Sequence, residues 1–208
     1  RPRVAHIQDS LRRACAAKVV GMDASIGRLL DELDQLSLSQ DTIVIFMTDH
    51  GGDENYGGSN LPLRGGKATL YEGGVRGPGI VIWPDVVQPS TRCDEVIQSC
   101  DYYPTLLEML ELKPQDGQQV DGISIVPALH GKNLNRDAIF TYFPHQPRVP
   151  DWLAPSVSVL LGDWKVFRLF LGGDCGHHRW YLFNLEDDTG ESSNLADSKP
   201  QLVKELDA

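Results

Sequence analysis

The chain has 208 residues, of which 41% are apolar, so it is long enough to bury a real core. Its formal charge of −10 at pH 7 argues against nucleic acid or an anionic membrane surface as a general partner. No stretch approaches the roughly 20 apolar residues of a membrane-spanning helix. The 4 cysteines show no CxxC spacing, so we expect unpaired structural thiols instead of a zinc site or a disulfide framework.

The first predicted element is a helix over residues 11–36, where apolar side chains recur every three or four positions between charged ones. "TIVIFMTDHGG", residues 42–52, follows as a continuous apolar run that turns polar at Asp49 and His50. Such a run is typical of a strand buried on both faces of a parallel sheet. Residues 51–78 form a long glycine-rich loop, which is usually functional when it has no structure of its own.

A second short strand is predicted over residues 78–84. The region 93–112 has helical spacing, and Pro104 predicts that one helix ends near Asp101 and another begins there. A short helix is expected around Val126 to Leu129, followed by a strand in "DAIFTYFP", residues 137–144.

The pattern changes at about residue 151. "SVSVLLGDWKVFRLF" predicts a hairpin around Gly162 and Asp163, "RWYLFNLEDD" another strand, and "KPQLVKELDA" a last helix. We therefore predict an α/β body over residues 1–150 and a small antiparallel-sheet and helix subdomain over residues 151–208.

Asp49 and His50 follow a predicted parallel strand, and ligands bind at the carboxyl ends of such strands. A carboxylate beside a second ligand suits a divalent cation, although an Asp that only caps a turn is equally favoured by this stretch alone. Lys67 lies between glycines with Arg64, Glu72 and Arg76 nearby. It suits an anionic group, against the alternative of an ordinary solvated lysine.

An ordered series of segments resembles the carboxyl-terminal half of the type I sulfatases, of the alkaline phosphatase superfamily. The resemblance covers nearly the entire chain and rests on these stretches in this order: "MDASIGRLLDELDQL", "DTIVIFMTDHGG", "LRGGKATLYEGGVRGPGIVIWP", "DEVIQSCDYYPTLLEML", "DGISIVPALHG" and "LFNLEDDTGESSNLA".

The resemblance implies a partial alkaline-phosphatase-like sheet with flanking helices, and hydrolysis of sulfate esters or sulfamates with a formylglycine and a calcium ion. It assigns Asp49 and His50 to the metal and Lys67 to catalysis and contact with the sulfate group. His145 in "YFPHQP" resembles a substrate-side residue of some members. The implied substrate is a sulfated small molecule or carbohydrate, and export to the periplasm or outside the cell is favoured.

The sequence departs from the family because it contains no C/S-x-P-x-R motif for formylglycine. We therefore expect a portion of a longer enzyme that is inactive by itself and that exposes a sheet edge, through which it can form a homodimer. Two alternatives stay open: a phosphodiesterase or phosphonate hydrolase of the same superfamily, and a non-catalytic homologue that acts as a binding module.

Overall fold

The structure, a computed structural model, describes residues 2–145 and 155–207. The helices in this part are α1 (Ser10–Gln35), α2 (Glu72–Val75), α3 (Tyr102–Met109), α4 (Val126–Leu129) and α5 (Pro200–Leu206). The strands are β1 (Val44–Met47), β2 (Gly79–Ile82), β3 (Ile139–Phe143), β4 (Ser156–Leu161), β5 (Trp164–Leu169) and β6 (Arg179–Asn184).

The contacts divide the chain into two units. Unit 1 consists of Arg1–Leu36, His50–Pro78 and Ala138–Ala208, and unit 2 of Ser37–Asp49 and Gly79–Asp137. The predicted subdomain boundary at residue 151 falls among residues 146–154, which lie outside the described part, and it stays a prediction.

The largest element of unit 1 is a four-stranded antiparallel sheet in the order β3-β4-β5-β6. Its central hairpin pairs Leu161 with Trp164 and turns at Gly162, whose φ of +56° suits a residue without a Cβ. The predicted hairpin, the predicted strand β6 and the predicted last helix are confirmed.

The side chains of this sheet alternate between two buried clusters. One cluster consists of Leu70, Tyr71, Phe167, Leu169 and Phe183. The other consists of Val166, Leu182, Ala196, Val203 and Leu206. In the cluster around Phe167, the end of the glycine-rich loop packs on one face of the sheet. In the cluster around Val166, helix α5 packs on the other face, so both faces of β5 and β6 are buried.

Helix α1 confirms the predicted helix. Asp9 caps it, because its Oδ1 accepts a hydrogen bond from the Arg12 backbone N–H at 2.6 Å. None of its residues is buried, and apolar side chains such as Met22 and Leu29 are about half exposed or more, at 49% and 61%.

In unit 2 the apolar run ends up in a different sheet from the one predicted. Strand β1 pairs antiparallel with β2, with Val44 opposite Ile82 and Met47 opposite Gly79. The parallel pairing predicted from "TIVIFMTD" is therefore wrong within the described residues. Its predicted burial on both faces is also wrong, since no residue of β1 is fully buried and Met47 is 39% exposed. A run of apolar residues favours a strand but does not encode which partner that strand takes.

The helix predicted before Asp101 is also wrong, because residues 93–98 are not helical. Asp101 is fully buried, and its carboxylate accepts hydrogen bonds from the backbone N–H groups of Gln98 and Ile123 and from Arg136. This local side-chain bonding competes with a regular helix. Helix α4 is confirmed where it was predicted.

The cysteines are unpaired as expected, but three of them, Cys93, Cys100 and Cys175, are exposed instead of buried in a core. Within the described ranges, every helix is too short or too polar to cross a lipid bilayer.

Candidate functional site

Asp49 and His50 lie just after β1, with Thr48 between the strand and Asp49, as the sequence predicts. Asp49 is exposed and His50 is half-buried. The Nδ1 atom of His50 lies 2.8 Å from the carbonyl oxygen of Gly51. Because a carbonyl oxygen only accepts, this hydrogen bond requires a proton on Nδ1 and leaves Nε2 as the nitrogen that can face a ligand. A histidine oriented in this way by its other nitrogen is the usual form of a metal ligand.

Lys67 is exposed, and its backbone is tied to the residues that follow His50. The Lys67 backbone N–H donates to the Gly52 carbonyl oxygen at 3.1 Å. Asn60 connects the same two segments: it accepts from the Gly52 N–H at 2.7 Å and donates to the carbonyl oxygens of Gly52 and Gly65, each at 3.0 Å. The structure therefore brings the His50 and Lys67 segments together through their backbones.

The close approach of these segments requires glycine. The Gly51 N–H donates to the Gly74 carbonyl oxygen at 2.9 Å. A Cβ at Gly51 would lie 1.7 Å from the Gly73 carbonyl oxygen, and a Cβ at Gly73 would lie 2.3 Å from the Gly65 carbonyl oxygen. Neither position has room for a side chain, which explains the glycines that the sequence presents on both sides of Lys67.

A buried ionic cluster stands next to this loop. Lys165 Nζ lies 2.7 Å from Glu72 Oε1 and 3.2 Å from Glu191 Oε1, and all three residues are buried. Burial raises the pKa of Glu191 to about 6, although Lys165 and the Glu72 N–H act in the opposite direction. The sequence indicates Glu72 near Lys67 but does not indicate Asn60, Lys165 or Glu191 as partners of this loop. The only signal for Glu191 was its position in "LFNLEDDTGESSNLA".

His145 is exposed just after β3, and its described ring contact is with Phe143, at 5.6 Å between the ring centroids. The residues that follow it, 146–154, lie outside the described part. Its substrate-side role stays a prediction.

The residues Asp49 and His50 supply only part of the ligands that a metal ion needs. Within residues 2–145 and 155–207 there is no group of three His, Cys, Asp or Glu side chains that could hold an ion together. Calcium takes about 6 to 8 oxygen ligands. Asp49 offers carboxylate oxygens, which fit such a shell as one ligand among several. His50 offers an imidazole nitrogen in place of an oxygen, and its assignment to the metal stays a prediction of the family resemblance.

Two family models match the chain and together span most of it. The model described as Sulfatase matches residues 2–112, and the model described as N-sulphoglucosamine sulphohydrolase, C-terminal, matches residues 66–207. The chain belongs to the sulfatase family. Members of this family are generally metal-dependent hydrolases.

Curated sulfatases are similar to this one over part of their length. Human steryl-sulfatase is 36% identical over 58% of the chain, which corresponds to 22% of that protein. Mouse arylsulfatase J is 30% identical over 94% of the chain and 38% of its own length. The chain thus spans well under half the length of the curated relatives it matches.

The crystal structure of Ps i-CgsB in complex with k-i-k-neocarrahexaose resembles the chain with a TM-score of 0.84 and 26% identity, covering 97% of the chain and 43% of that structure. The described elements therefore form part of an alkaline-phosphatase-like fold, as the sequence predicted.

Proposed function

We propose that the intact protein, meaning the natural protein that contains this chain, hydrolyses sulfate esters, and that Asp49, His50 and Lys67 belong to its active site. The observation that carries this proposal is the backbone hydrogen bond from Lys67 to Gly52. It places an exposed ammonium on a loop that is fixed two residues after His50. Membership in the sulfatase family supports the reaction class.

The chemistry of these residues suits a sulfate ester. As the S–O bond breaks, negative charge develops on the departing oxygen and is shared with the sulfate oxygens. The Lys67 ammonium, whose backbone N–H is bonded to Gly52, would bind the sulfate group and stabilise this charge. Asp49, with His50 as the second ligand that the family resemblance implies, would hold a calcium ion, and this ion would supply a Lewis acid for the sulfate group. The family resemblance also implies a formylglycine nucleophile, which this sequence does not supply.

The relatives support a substrate class for the intact protein. Names such as steryl-sulfatase and arylsulfatase J, and the oligosaccharide bound to Ps i-CgsB, support a sulfated small molecule or carbohydrate for the intact protein. His145 is proposed as a substrate-side residue. Export to the periplasm or the cell exterior, and a homodimer formed through a sheet edge, complete the proposal.

The proposal is tested by assaying the intact protein on 4-nitrophenyl sulfate. Lys67→Ala is expected to lower kcat/KM by roughly 100- to 1000-fold, the usual loss when one group that stabilises transition-state charge is removed. Lys113→Ala is the matched control, because Lys113 is also an exposed lysine but lies far along the chain. The control should change kcat/KM by less than about twofold.

Parallel assays decide between the alternatives. Hydrolysis of a phenyl phosphonate or a phosphodiester with no turnover of the sulfate would favour the related phosphoryl hydrolases. No turnover of any of these esters, with intact folding, would favour a non-catalytic binding module. Equal activity of Lys67→Ala and Lys113→Ala would contradict the role of Lys67.

A further inference from the structure

The buried cluster of Glu72, Lys165 and Glu191 is not used by the chemistry proposed above. Side chains of this kind are almost never fully buried unless they are paired, and Glu191 and Lys165 are 0% and 2% exposed. The three residues come from the glycine-rich loop, from β5 and from the segment after β6. Removing one partner of such a pair leaves an uncompensated buried charge, so the pairing favours the arrangement in which these three segments meet.

Glu191 contacts both sides of the loop that carries Lys67. Its carboxylate Oε2 accepts from the Glu72 backbone N–H at 2.6 Å, and its backbone carbonyl oxygen accepts from Arg64 Nη1 at 3.0 Å. Arg64 and Glu72 stand three residues before and five residues after Lys67. One residue thus fixes both ends of the segment 64–72, with Lys67 between them.

Lys165 anchors this arrangement to the sheet. It donates to Glu72 Oε1 at 2.7 Å, and its ammonium lies 5.0 Å from the centroid of the Phe167 ring, in the core of β5. On the loop side, the Arg64 guanidinium lies 4.1 Å from the centroid of the Tyr71 ring, which packs on the same core. Charged and apolar contacts together hold the loop against the four-stranded sheet.

The conformation of Glu191 indicates that its position is imposed by its surroundings. Its φ of +50° lies in the left-handed region, which is unfavourable for a residue with a long side chain. Asp188 builds the turn that holds it, because the Asp188 carboxylate accepts from the backbone N–H groups of Ser192 and Ser193. Burial would raise the pKa of Asp188, but these hydrogen bonds outweigh it and hold the pKa below its ordinary value. Such local strain persists where the surrounding structure requires it.

We propose that Glu191 is a positioning residue for Lys67: together with Lys165 and Glu72 it fixes the segment 64–72, so that the Lys67 ammonium is presented to the anionic group of the substrate. This inference rests on the proposed function for the identity of that group. The fixing of the segment itself rests only on the contacts within unit 1.

The test compares Glu191→Gln with Asp207→Asn in the intact protein. Glu191→Gln keeps the shape and an acceptor for the Glu72 N–H but replaces the carboxylate that faces Lys165. Asp207→Asn removes the ion pair that Arg168 makes at 3.3 Å. Arg168 is on the same strand as Lys165 but on the opposite face, so this control perturbs the same sheet without touching the loop.

Hydrogen exchange measured by mass spectrometry provides the first readout. Glu191→Gln is expected to speed exchange of peptides covering residues 64–76 by about tenfold or more, with less than about twofold change over α5. Asp207→Asn should leave residues 64–76 within about twofold of the wild type. Kinetics provides the second readout: Glu191→Gln should lower kcat by about tenfold or more while KM changes by less than about threefold, as expected for a misplaced catalytic group.

Exchange over residues 64–76 that matches the wild type in a folded Glu191→Gln variant would overturn the proposal. So would equal acceleration across the whole of unit 1, because that indicates general loosening. If Glu191→Gln does not fold, Lys165→Met/Glu191→Gln, which keeps the net charge of the cluster, carries the same expectations. A wild-type protein that hydrolyses no sulfate ester would contradict the proposed function, and the exchange data would still decide whether Glu191 fixes the loop.

Discussion

The four-stranded sheet of β3 to β6 and the two-stranded sheet of β1 and β2 both consist of apolar strands, but their side chains differ in burial. In the first, Phe167 and Leu182 are 0% exposed, whereas Ile80 and Ile82 in the second are 55% and 45% exposed. The difference is one of cover: α5 and residues 70–71 pack on the two faces of β5 and β6. The side chains of an apolar strand are buried only where other segments of the chain pack on its faces. The Lys67 loop is fixed to the four-stranded sheet, whose strands β5 and β6 are packed in this way.

The largest effect is expected from Phe167→Ala. This side chain is fully buried between Tyr71 and Phe183, with ring centroids 5.3 Å and 5.8 Å away. Its removal should lower the free energy of unfolding by about 3–5 kcal/mol, measured by urea unfolding of the intact protein.

The matched control is Phe140→Ala, a phenylalanine on edge strand β3 of the same sheet that is 67% exposed. It should change the free energy of unfolding by less than about 1 kcal/mol. A similar loss of unfolding free energy in the two variants would mean that Phe167 is not buried in a well-packed core of the four-stranded sheet.

Gly51→Ala is expected to have the next largest effect, about 3 kcal/mol of lost stability in the segment that joins His50 to the Lys67 loop. The new Cβ would lie 1.7 Å from the Gly73 carbonyl oxygen, so the two backbones must separate. Faster hydrogen exchange at residues 64–76 and a lower melting temperature would show this. A variant with wild-type exchange and melting temperature would contradict the close approach of Gly51 and Gly73.

Local patterns in the sequence predicted much of the fold. The spacing of α1, the Gly162 turn between β4 and β5, and the short helix α4 are encoded within a few residues, and each was confirmed. The partner of β1 was predicted wrongly because an apolar run fits a parallel or an antiparallel neighbour equally well.

The candidate site was predicted less completely. Family resemblance supplied Asp49, His50 and Lys67, but the groups that fix the loop are remote from it in sequence. Lys165 and Glu72 are 93 residues apart, and Glu191 and Glu72 are 119 residues apart. A side-chain contact at that separation has no periodic signal, since it depends on how the sheet and the loop pack together.

A smaller change in the free energy of unfolding is expected with pH, and it depends on the protonation of Glu191. Burial raises the pKa of Glu191 from 4.5 to about 6, so the folded protein binds a proton more tightly than the unfolded chain between these values. The stabilisation from this proton is present below pH 4.5 and is lost as the pH rises through 6. Lys165, Glu72, Arg64 and Asp188 are the charged groups around Glu191, and Lys165 and the Glu72 N–H limit the rise of its pKa.

The free energy of unfolding of the wild type, relative to Glu191→Gln, should therefore fall by about 2 kcal/mol between pH 4.5 and pH 7. Urea unfolding of both proteins at these two pH values measures the difference. A difference that is constant with pH would mean that Glu191 titrates as an exposed carboxylate does.

The smallest effect is expected for Gly21→Ala in α1, where a Cβ would meet no atom within 4 Å. Alanine has the higher helix propensity, so the variant should gain about 0.5–1 kcal/mol in the free energy of unfolding. It is also the matched control for Gly51→Ala, and a loss of stability at Gly21 would indicate that α1 is covered at this position in the intact protein.

The proposal for the intact protein assigns Asp49 and His50 to a calcium ion. Calorimetric titration of the metal-depleted intact protein with calcium tests it directly, with Asp49→Asn compared to Asp53→Asn, whose carboxylate caps a turn at Asn55. Asp49→Asn is expected to weaken calcium binding by about 100-fold or more, while Asp53→Asn binds it within about threefold of the wild type. Unchanged calcium affinity in Asp49→Asn would contradict the assignment of Asp49 as a calcium ligand.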